Sequence, residues 1–333
     1  MKVLAFGEVM LRLTPPSYKR IEQTDMCDLS FSGTGMNILS GLSHAGISTE
    51  LFTVLPENSV GRAASAAVRR LGINAEKIEF QSQHIGTYFL EMGYGNRPSN
   101  VTYLNRDQSS FCTTILSQEV LEDAVNDTDL VHICGISLAT SEISRKNALK
   151  LANVASRLGK KVCFDFNFRP SLVGASVRPT VMAAYKEMLQ VADFVSGGFK
   201  DLTLLLEMEF DAEKQTIDDL FKRFVRDYDL QAFFGTEKNN SGDTKTLQGF
   251  YATSTDVTRS IDLSLTTFDR IGTGDAYVSG ILTGLLSDWP IQEVVDYASK
   301  SAQIAFTTFG DSPIVTKDEI FQMLEDESLE VIR

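Results

Sequence analysis

Residues 272–275, Gly-Thr-Gly-Asp, set a carboxylate behind two glycines and in front of a small, apolar stretch, AYVSGILTGLL. A helix starting there presents unpaired backbone N–H groups and the positive end of its dipole, and the two together attract anions. Gly272 and Gly274, with Thr273 between them, free consecutive N–H groups to point outward. Asp275 then has two readings. One is a helix N-cap, a common use of aspartate. The other is a base that takes a proton from an incoming hydroxyl while the N–H groups stabilise a transferring phosphoryl group.

A second polar set lies in FDFNFRP, residues 164–170. Read as a strand, it puts Phe164, Phe166 and Phe168 on one face and Asp165, Asn167 and Arg169 on the other, with Pro170 marking its end. Ligands of α/β proteins bind beyond the carboxyl ends of such strands, where these groups would suit a polyhydroxylated, anionic molecule. A self-satisfied Asp165–Arg169 ion pair is the alternative, and the motif alone does not separate the two. VTYLNRDQSS, residues 101–110, adds Tyr103 and Arg106, with a solvated strand bearing a surface arginine as the alternative. In GYGNRPS a hairpin loop is expected, with Arg97 in solvent. SGTGMN, residues 32–37, is a turn ahead of a helix: Gly33 would allow close backbone approach, and Asn37 has a donor and an acceptor for a sugar hydroxyl. A plain strand-to-helix turn explains it equally. The third glycine of a dinucleotide fingerprint is missing and no GxxxxGK[ST] occurs, which weighs against a Rossmann dehydrogenase and a P-loop NTPase.

These groups need a scaffold, and the 333 residues supply a regular one. Strand-like runs (KVLAFG, LFTVL, DLVHICGIS, KVCFDFNF, DFVSGG, LQAFFG) alternate with helical windows (MNILSGLSHAG, VGRAASAAVRRLG, SRKNALKLANVASRLG, TVMAAYKEMLQVA, IDDLFKRFVRDY). That alternation predicts a doubly wound α/β fold, a mostly parallel sheet with helices on both faces. Residues 8–32 and 84–111 break the rhythm with extended segments and a hairpin at 93–99, which predicts a small β-sheet lid. No repeat or tether divides the chain, so a single domain over 1–333 is expected.

The net charge of −13 disfavours nucleic acid and anionic membranes as partners, so an acidic ligand must be held by local cations or N–H groups. Glu8 and Arg12 interrupt the N-terminal apolar run, which reads as a first strand and not a signal peptide. No stretch is long and apolar enough to span a membrane. Cys27, Cys112, Cys134 and Cys163 have no CxxC spacing and read as reduced core thiols of a cytoplasmic protein. His44, His84 and His132 are scattered, and no metal-ligating set is assigned.

Taken in order, Gly7-Glu8, the turn with Gly33 and Asn37, Asp165-x-Asn167-x-Arg169 and Gly272-x-Gly274-Asp275 resemble the ribokinase-like, or PfkB, family of sugar kinases. The similarity spans nearly the whole chain, and four ordered motifs are far more specific than any one. Within that family GTYFLEMG, VTYLNRDQSS, DFNFRPSLV and the tail GDSPIVTKDEI are most similar to the 2-keto-3-deoxygluconate kinase subgroup.

The resemblance implies an ATP-dependent kinase with Asp275 as general base and Gly272, Thr273 and Gly274 as the anion hole. It implies Gly33, Asn37, Tyr88, Tyr103, Arg106, Arg169 and Asp311 at the sugar, the two arginines meeting an acid sugar's carboxylate. Asn167 and the segment GTEKNN, with Thr236 and Lys238, would contact ATP, and Mg2+ would arrive with the nucleotide. A monovalent cation and a homo-oligomer formed through the lid are further implications. The chain departs from the family pattern in five places, one of them GTEK (235–238) where the nucleotide loop usually reads T-x-G. Ser32-Gly33 replaces a glycine pair, one extra residue separates Tyr103 from Arg106, Val173 stands where a tryptophan is expected, and GFKD (198–201) replaces N-x-x-E. A fructokinase-like neutral-sugar kinase and a non-catalytic sensor of sugar or nucleotide are the competing readings.

Overall fold

A computed structural model describes residues 1–170, 173–241 and 244–325. Its centre is a sheet, ten-stranded among the described residues. Along it run β1 (Lys2–Phe6), β4 (Ser48–Leu55), β5 (Ile78–Phe80), β8 (Leu130–Cys134), β9 (Lys161–Asp165), β10 (Phe194–Ser196), β11 (Ala232–Ser241), β12 (Thr244–Ala252), β13 (Val257–Arg259) and β14 (Leu263–Ser264). From β5 to β11 every pairing is parallel, in the order β11-β10-β9-β8-β1-β4-β5; β12, β13 and β14 add an antiparallel end.

The parallel strands are apolar on both faces because both faces are covered. In β1, Leu4 and Phe6 pack into one core while Val3 and Ala5 pack into the other; in β11, Phe233 and Phe234 divide in the same way. The first core is closed by α3 (Ser110–Thr113), α4 (Gln118–Val125), α5 (Ile136–Ala139), α6 (Glu142–Arg157), α7 (Arg178–Leu189) and α8 (Ile217–Asp227). The second is closed by α1 (Thr34–His44), α2 (Ser59–Arg70), α9 (Thr273–Leu286) and α10 (Ile291–Ala305), with α11 (Lys317–Glu325) against α10. Local chemistry fixes the helix starts: Asn58 caps α2 through the N–H groups of Val60 and Gly61, and Thr216 and Asp219 form a capping box on α8.

The segments that break the alternation form a separate four-stranded sheet, as expected. Its order is β3-β2-β6-β7, with β2 (Met10–Thr14), β3 (Asp28–Ser32), β6 (Thr87–Glu91) and β7 (Asn100–Leu104). Ser30, Arg12, Tyr88 and Tyr103 stand in register across it, so they share one face. That inner face carries a small cluster of Met10, Tyr88, Leu90 and Met92, against which Tyr18 and Ile271 pack. Among the described residues no helix is long and apolar enough to cross a membrane.

Several expectations are corrected here. The strand read through Phe168 ends at Asp165, because Asn167 takes a left-handed φ of 35° and turns the chain out of the sheet. DLVHICGIS likewise ends as a strand at Cys134, and Ile136 begins α5. The strand read in LQAFFG does not stop at Gly235: residues 235–240 continue it as part of β11, where their backbone pairs with β12. Arg97 is not simply solvated: it is half-buried and donates to the carbonyls of Tyr18 and Met92, tying the hairpin to the lid's first loop. Cys27 is exposed, whereas Cys112, Cys134 and Cys163 are buried free thiols.

Candidate active site

Strand order reverses between β1 and β8, and a cleft opens beyond the carboxyl ends of the strands at that switch point. Gly7 and Glu8 after β1, Cys134 of β8, Asp165 of β9 and Ser196 of β10 line it, and the lid contributes Tyr88, Tyr103 and Arg106 from above. The cavity measures about 770 Å³ and also takes in Gly33, Asn37, Asn167, Arg169, Thr236, Lys238, Gly272–Asp275 and Asp311. Every candidate site residue named from the sequence therefore lines a single cleft.

The Gly-Thr-Gly-Asp turn excludes the N-cap reading of Asp275. Gly272 is the N-cap of α9, with a left-handed φ of 79°, and Asp275 is the third residue of the helix, not its cap. Only glycine fits at 272, since a Cβ there would lie 1.9 Å from the carbonyl oxygen of Asp311. No side chain caps the helix, so its first-turn N–H groups remain for a ligand. Asp275 is buried and accepts a hydrogen bond from Asn37 Nδ2 at 2.7 Å, while Ser312 Oγ donates to Asn37 Oδ1 at 2.9 Å. The Asn37 amide thus holds the carboxylate with one N–H and accepts one bond at Oδ1, while the residue still lines the cleft. Burial pushes the Asp275 pKa up to about 7, against the lowering effect of Asn37, with the charges of Asp165 and Asp311 adding to the rise. Gly33 is required for space: its φ of 179° is ordinary extended backbone, but a Cβ would lie 2.0 Å from the Glu8 carbonyl oxygen.

At the lid end, Arg106 is buried and its Nε donates to Glu8 Oε2 at 2.7 Å, while Ser109 Oγ donates to Glu8 Oε1 at 2.8 Å. Arg106 Nη1 has no hydrogen-bond partner, and its guanidinium carbon sits 5.0 Å over the Tyr103 ring. Burial alone would lower the Arg106 pKa, but Glu8 outweighs it and the group is held charged. Asp311 receives Arg12 Nη1 and, at 3.1 Å, the Tyr88 hydroxyl, which also bonds Ser32 Oγ at 2.8 Å. Burial and the Asp311 charge raise the Tyr88 pKa.

On the floor, burial and the charge of Asp201 raise Asp165 to about 7. Asp201, the acid of the GFKD segment, is itself raised by burial and accepts the Gly198 N–H at 2.8 Å. Asn167 Nδ2 donates to Thr34 Oγ1 at 3.2 Å and its Oδ1 has no partner. Arg169 forms no ion pair among the described residues, so the self-satisfied pairing with Asp165 does not occur; its charge acts at a distance on Asp165, Asp201 and Asp275. At the far end Lys238 lies 4.7 Å over the Phe306 ring, its pKa lowered by desolvation and by the charge of Arg270.

Glu8, Arg12, Asp269 and Arg270 were not assigned from the sequence: Glu8 and Arg270 line the cleft, while Arg12 and Asp269 stand behind it, bonded to Asp311 and to the Arg270 and Ile271 backbone respectively. The signal for the first two was present: two charges interrupt MKVLAFGEVMLRL, and both are buried. A buried charge needs a partner. Arg270 stands two positions before Gly272, close enough to the Gly-Thr-Gly-Asp turn to place it at the cleft.

A buried carboxylate at a helix N-terminus, in a lidded α/β cleft, suits the transfer of a phosphoryl group onto an alcohol. Comparison with known proteins agrees. The pfkB family carbohydrate kinase model matches residues 1–227 and 249–318, and the chain belongs to that family. It is 27% identical over 328 residues to the 2-dehydro-3-deoxygalactonokinase of Haloferax volcanii, covering 97% of this chain and 96% of that one. Among solved structures it resembles an Enterococcus faecalis protein provisionally named 2-keto-3-deoxygluconate kinase, with 40% identity, a TM-score of 0.96, and 100% and 99% of the two chains covered. It also resembles the 2-dehydro-3-deoxygluconokinase of Thermotoga maritima, with 25% identity, a TM-score of 0.89, and 98% and 100% covered. The protein is thus a sugar kinase, related to kinases that act on keto-deoxy sugar acids.

Proposed function

We propose that this kinase phosphorylates 2-keto-3-deoxygluconate, with ATP as donor and 2-keto-3-deoxy-6-phosphogluconate as product. The observation that carries the reading is the pairing, in one cleft, of a buried base with guanidinium groups left for an anion. Asp275 lies at one end, and Arg169 with the unpartnered Nη1 of Arg106 supplies the cations. A neutral sugar has no need of them. Glu8 already neutralises Arg106 in part, so Arg169 is the principal partner of the acid's carboxylate and Arg106 adds a directed N–H.

Asp275 accepts the proton of the sugar's primary hydroxyl as its oxygen attacks the γ-phosphorus. The bond to the β,γ-bridging oxygen breaks, ADP leaves, and the N–H groups at Gly272–Gly274 stabilise the oxygens of the transferring group. Lys238 and Arg270 face the triphosphate, and Thr236 lies beside them. The donor set around Asp165 fits Mg2+: two hard carboxylates, Asp165 and Asp201, line the cleft, and the Asn167 Oδ1 lacks a partner. Among the described residues no three His, Cys, Asp or Glu gather into a cage, which suits an ion that keeps its waters and binds substrate phosphates. When bound, that ion offsets the charge developing on the phosphate oxygens.

The lid's outer face supports assembly of two copies through it. Leu11, Leu13, Leu29, Phe89 and Leu104 alternate with the inward residues, and Leu29 is 62% exposed.

A screen of ADP release with keto-deoxy acids and neutral hexoses tests the reading. Turnover is expected on 2-keto-3-deoxygluconate, falling about 10²- to 10⁴-fold in Asp275→Asn. Arg169→Ala is expected to raise the KM of the acid about tenfold or more and leave that of ATP unchanged. Equal or better turnover of fructose overturns the substrate, and an active Asp275→Asn overturns the base.

A further inference from the structure

One side chain of the lid reaches the segments that flank the Gly-Thr-Gly-Asp turn. Arg12 is only 2% exposed on the inner face of β2. Its Nε donates to Thr14 Oγ1 at 2.9 Å, its Nη1 to Asp311, and its Nη2 lies 3.9 Å from Asp269 Oδ2 without a hydrogen-bond partner. The two carboxylates bracket the anion turn. Asp269 Oδ1 accepts the backbone N–H groups of Arg270 at 2.6 Å and Ile271 at 3.1 Å. The Asp311 carbonyl presses on Gly272, and Ile271 packs on the lid's apolar cluster. Lid strand, loop 269–271 and residue 311 therefore meet on one guanidinium.

Such a buried ion pair adds little stability, because desolvation offsets its Coulomb attraction. Its planar fork is suited to fixing geometry between two carboxylates, which a lysine ammonium cannot reproduce. We propose that Arg12 is a positioning residue, a latch that couples seating of the small sheet over the acceptor to the geometry of the Gly272–Asp275 turn. The inference rests on the phosphoryl-transfer reading of that turn, not on which sugar accepts. With the latch lost, the turn receives nucleotide while the lid is unseated, and water reaches the γ-phosphorus in place of the sugar hydroxyl. The water oxygen bonds to phosphorus, the bond to ADP breaks, and inorganic phosphate is released with the water's proton.

Arg12→Lys keeps a charge between the carboxylates, which favours folding, and Arg12→Met removes it. ADP and sugar phosphate are measured in the same reactions with 2-keto-3-deoxygluconate, and hydrogen exchange is followed over residues 268–276. The parent is expected to make the two products in equal amounts. In both variants ADP should exceed sugar phosphate at least about twofold, with sugar phosphorylation about tenfold slower. A loss of folded protein lowers both products together and leaves their ratio alone, so a ratio of one in both variants overturns the latch. If the parent makes no sugar phosphate, the substrate reading fails instead and exchange decides: faster exchange at 268–276 in Arg12→Lys supports the latch, and unchanged exchange overturns it.

Discussion

Asn37 Nδ2 donates to Asp275 Oδ2 at 2.7 Å, joining the start of α1 to the start of α9 across 238 positions of sequence. The bond favours the ionised carboxylate, while burial favours the neutral one and prevails, holding the pKa near 7. A base works only when deprotonated, so kcat/KM should rise with pH through an acid limb near 7. Asn37→Ala removes the opposing bond, and a hydrogen bond to a charged group is worth enough to move the limb up by about one pH unit. A pH profile of both proteins from 5.5 to 9 checks this; a limb that stays put or moves down contradicts it.

The same carboxylate makes stability depend on pH. Its folded pKa of about 7 lies above its ordinary value of 3.8, so its contribution is fully present below the unfolded pKa and is lost as pH rises through 7. Roughly three pH units correspond to an upper bound of about 4 kcal/mol. Asp275→Asn cannot ionise and escapes the loss, so it should melt higher than the parent at pH 8 by more than at pH 5. Asp165, raised by burial and by Asp201, adds a decline of the same sign that the variant retains. Equal Tm differences at the two pH values would count against a raised Asp275.

Gly272 combines a left-handed φ of 79° with contact to the Asp311 carbonyl. A methyl group there must displace either the turn or the segment that Arg12 holds. Gly272→Ala should therefore lower kcat about a hundredfold, the scale of a lost oxyanion donor. Gly274→Ala should cost far less through crowding, since its Cβ would meet nothing within 4 Å. Steady-state kinetics of the pair makes the comparison, and equal losses would remove the steric argument.

How much of this was legible before folding depends on whether the signal was local. The alternation of strands and helices, the lid boundaries and the Gly-Thr-Gly-Asp turn all write themselves into short windows of sequence. The partners of Glu8 and Arg12 do not: Arg106 lies 98 positions from Glu8, and Asp311 lies 299 from Arg12. A window around Arg12 shows a charge inside an apolar run, which calls for a partner, but nothing in it says which residue that partner is. Asn167 shows the opposite failure. The D-x-N-x-R spacing predicted strand alternation, and a positive φ at its middle residue broke it while still leaving all three side chains on the cleft.

The lid sheet has two faces with different duties, and its period of two separates them. Arg12 and Thr14 point inward and are buried, whereas Leu11 and Leu13, between and beside them, point outward and are half-buried. Leu13 stands in register with Leu29 on one side and Phe89 on the other, so a charge at its position faces apolar neighbours on both strands. If two copies meet through this surface, Leu13→Glu should convert a dimer to a monomer, read as a halved mass by light scattering. The inward register is unchanged by the substitution, so the ratio of ADP to sugar phosphate should stay at one even as the mass falls. An unchanged mass would show that the apolar face is not where copies meet.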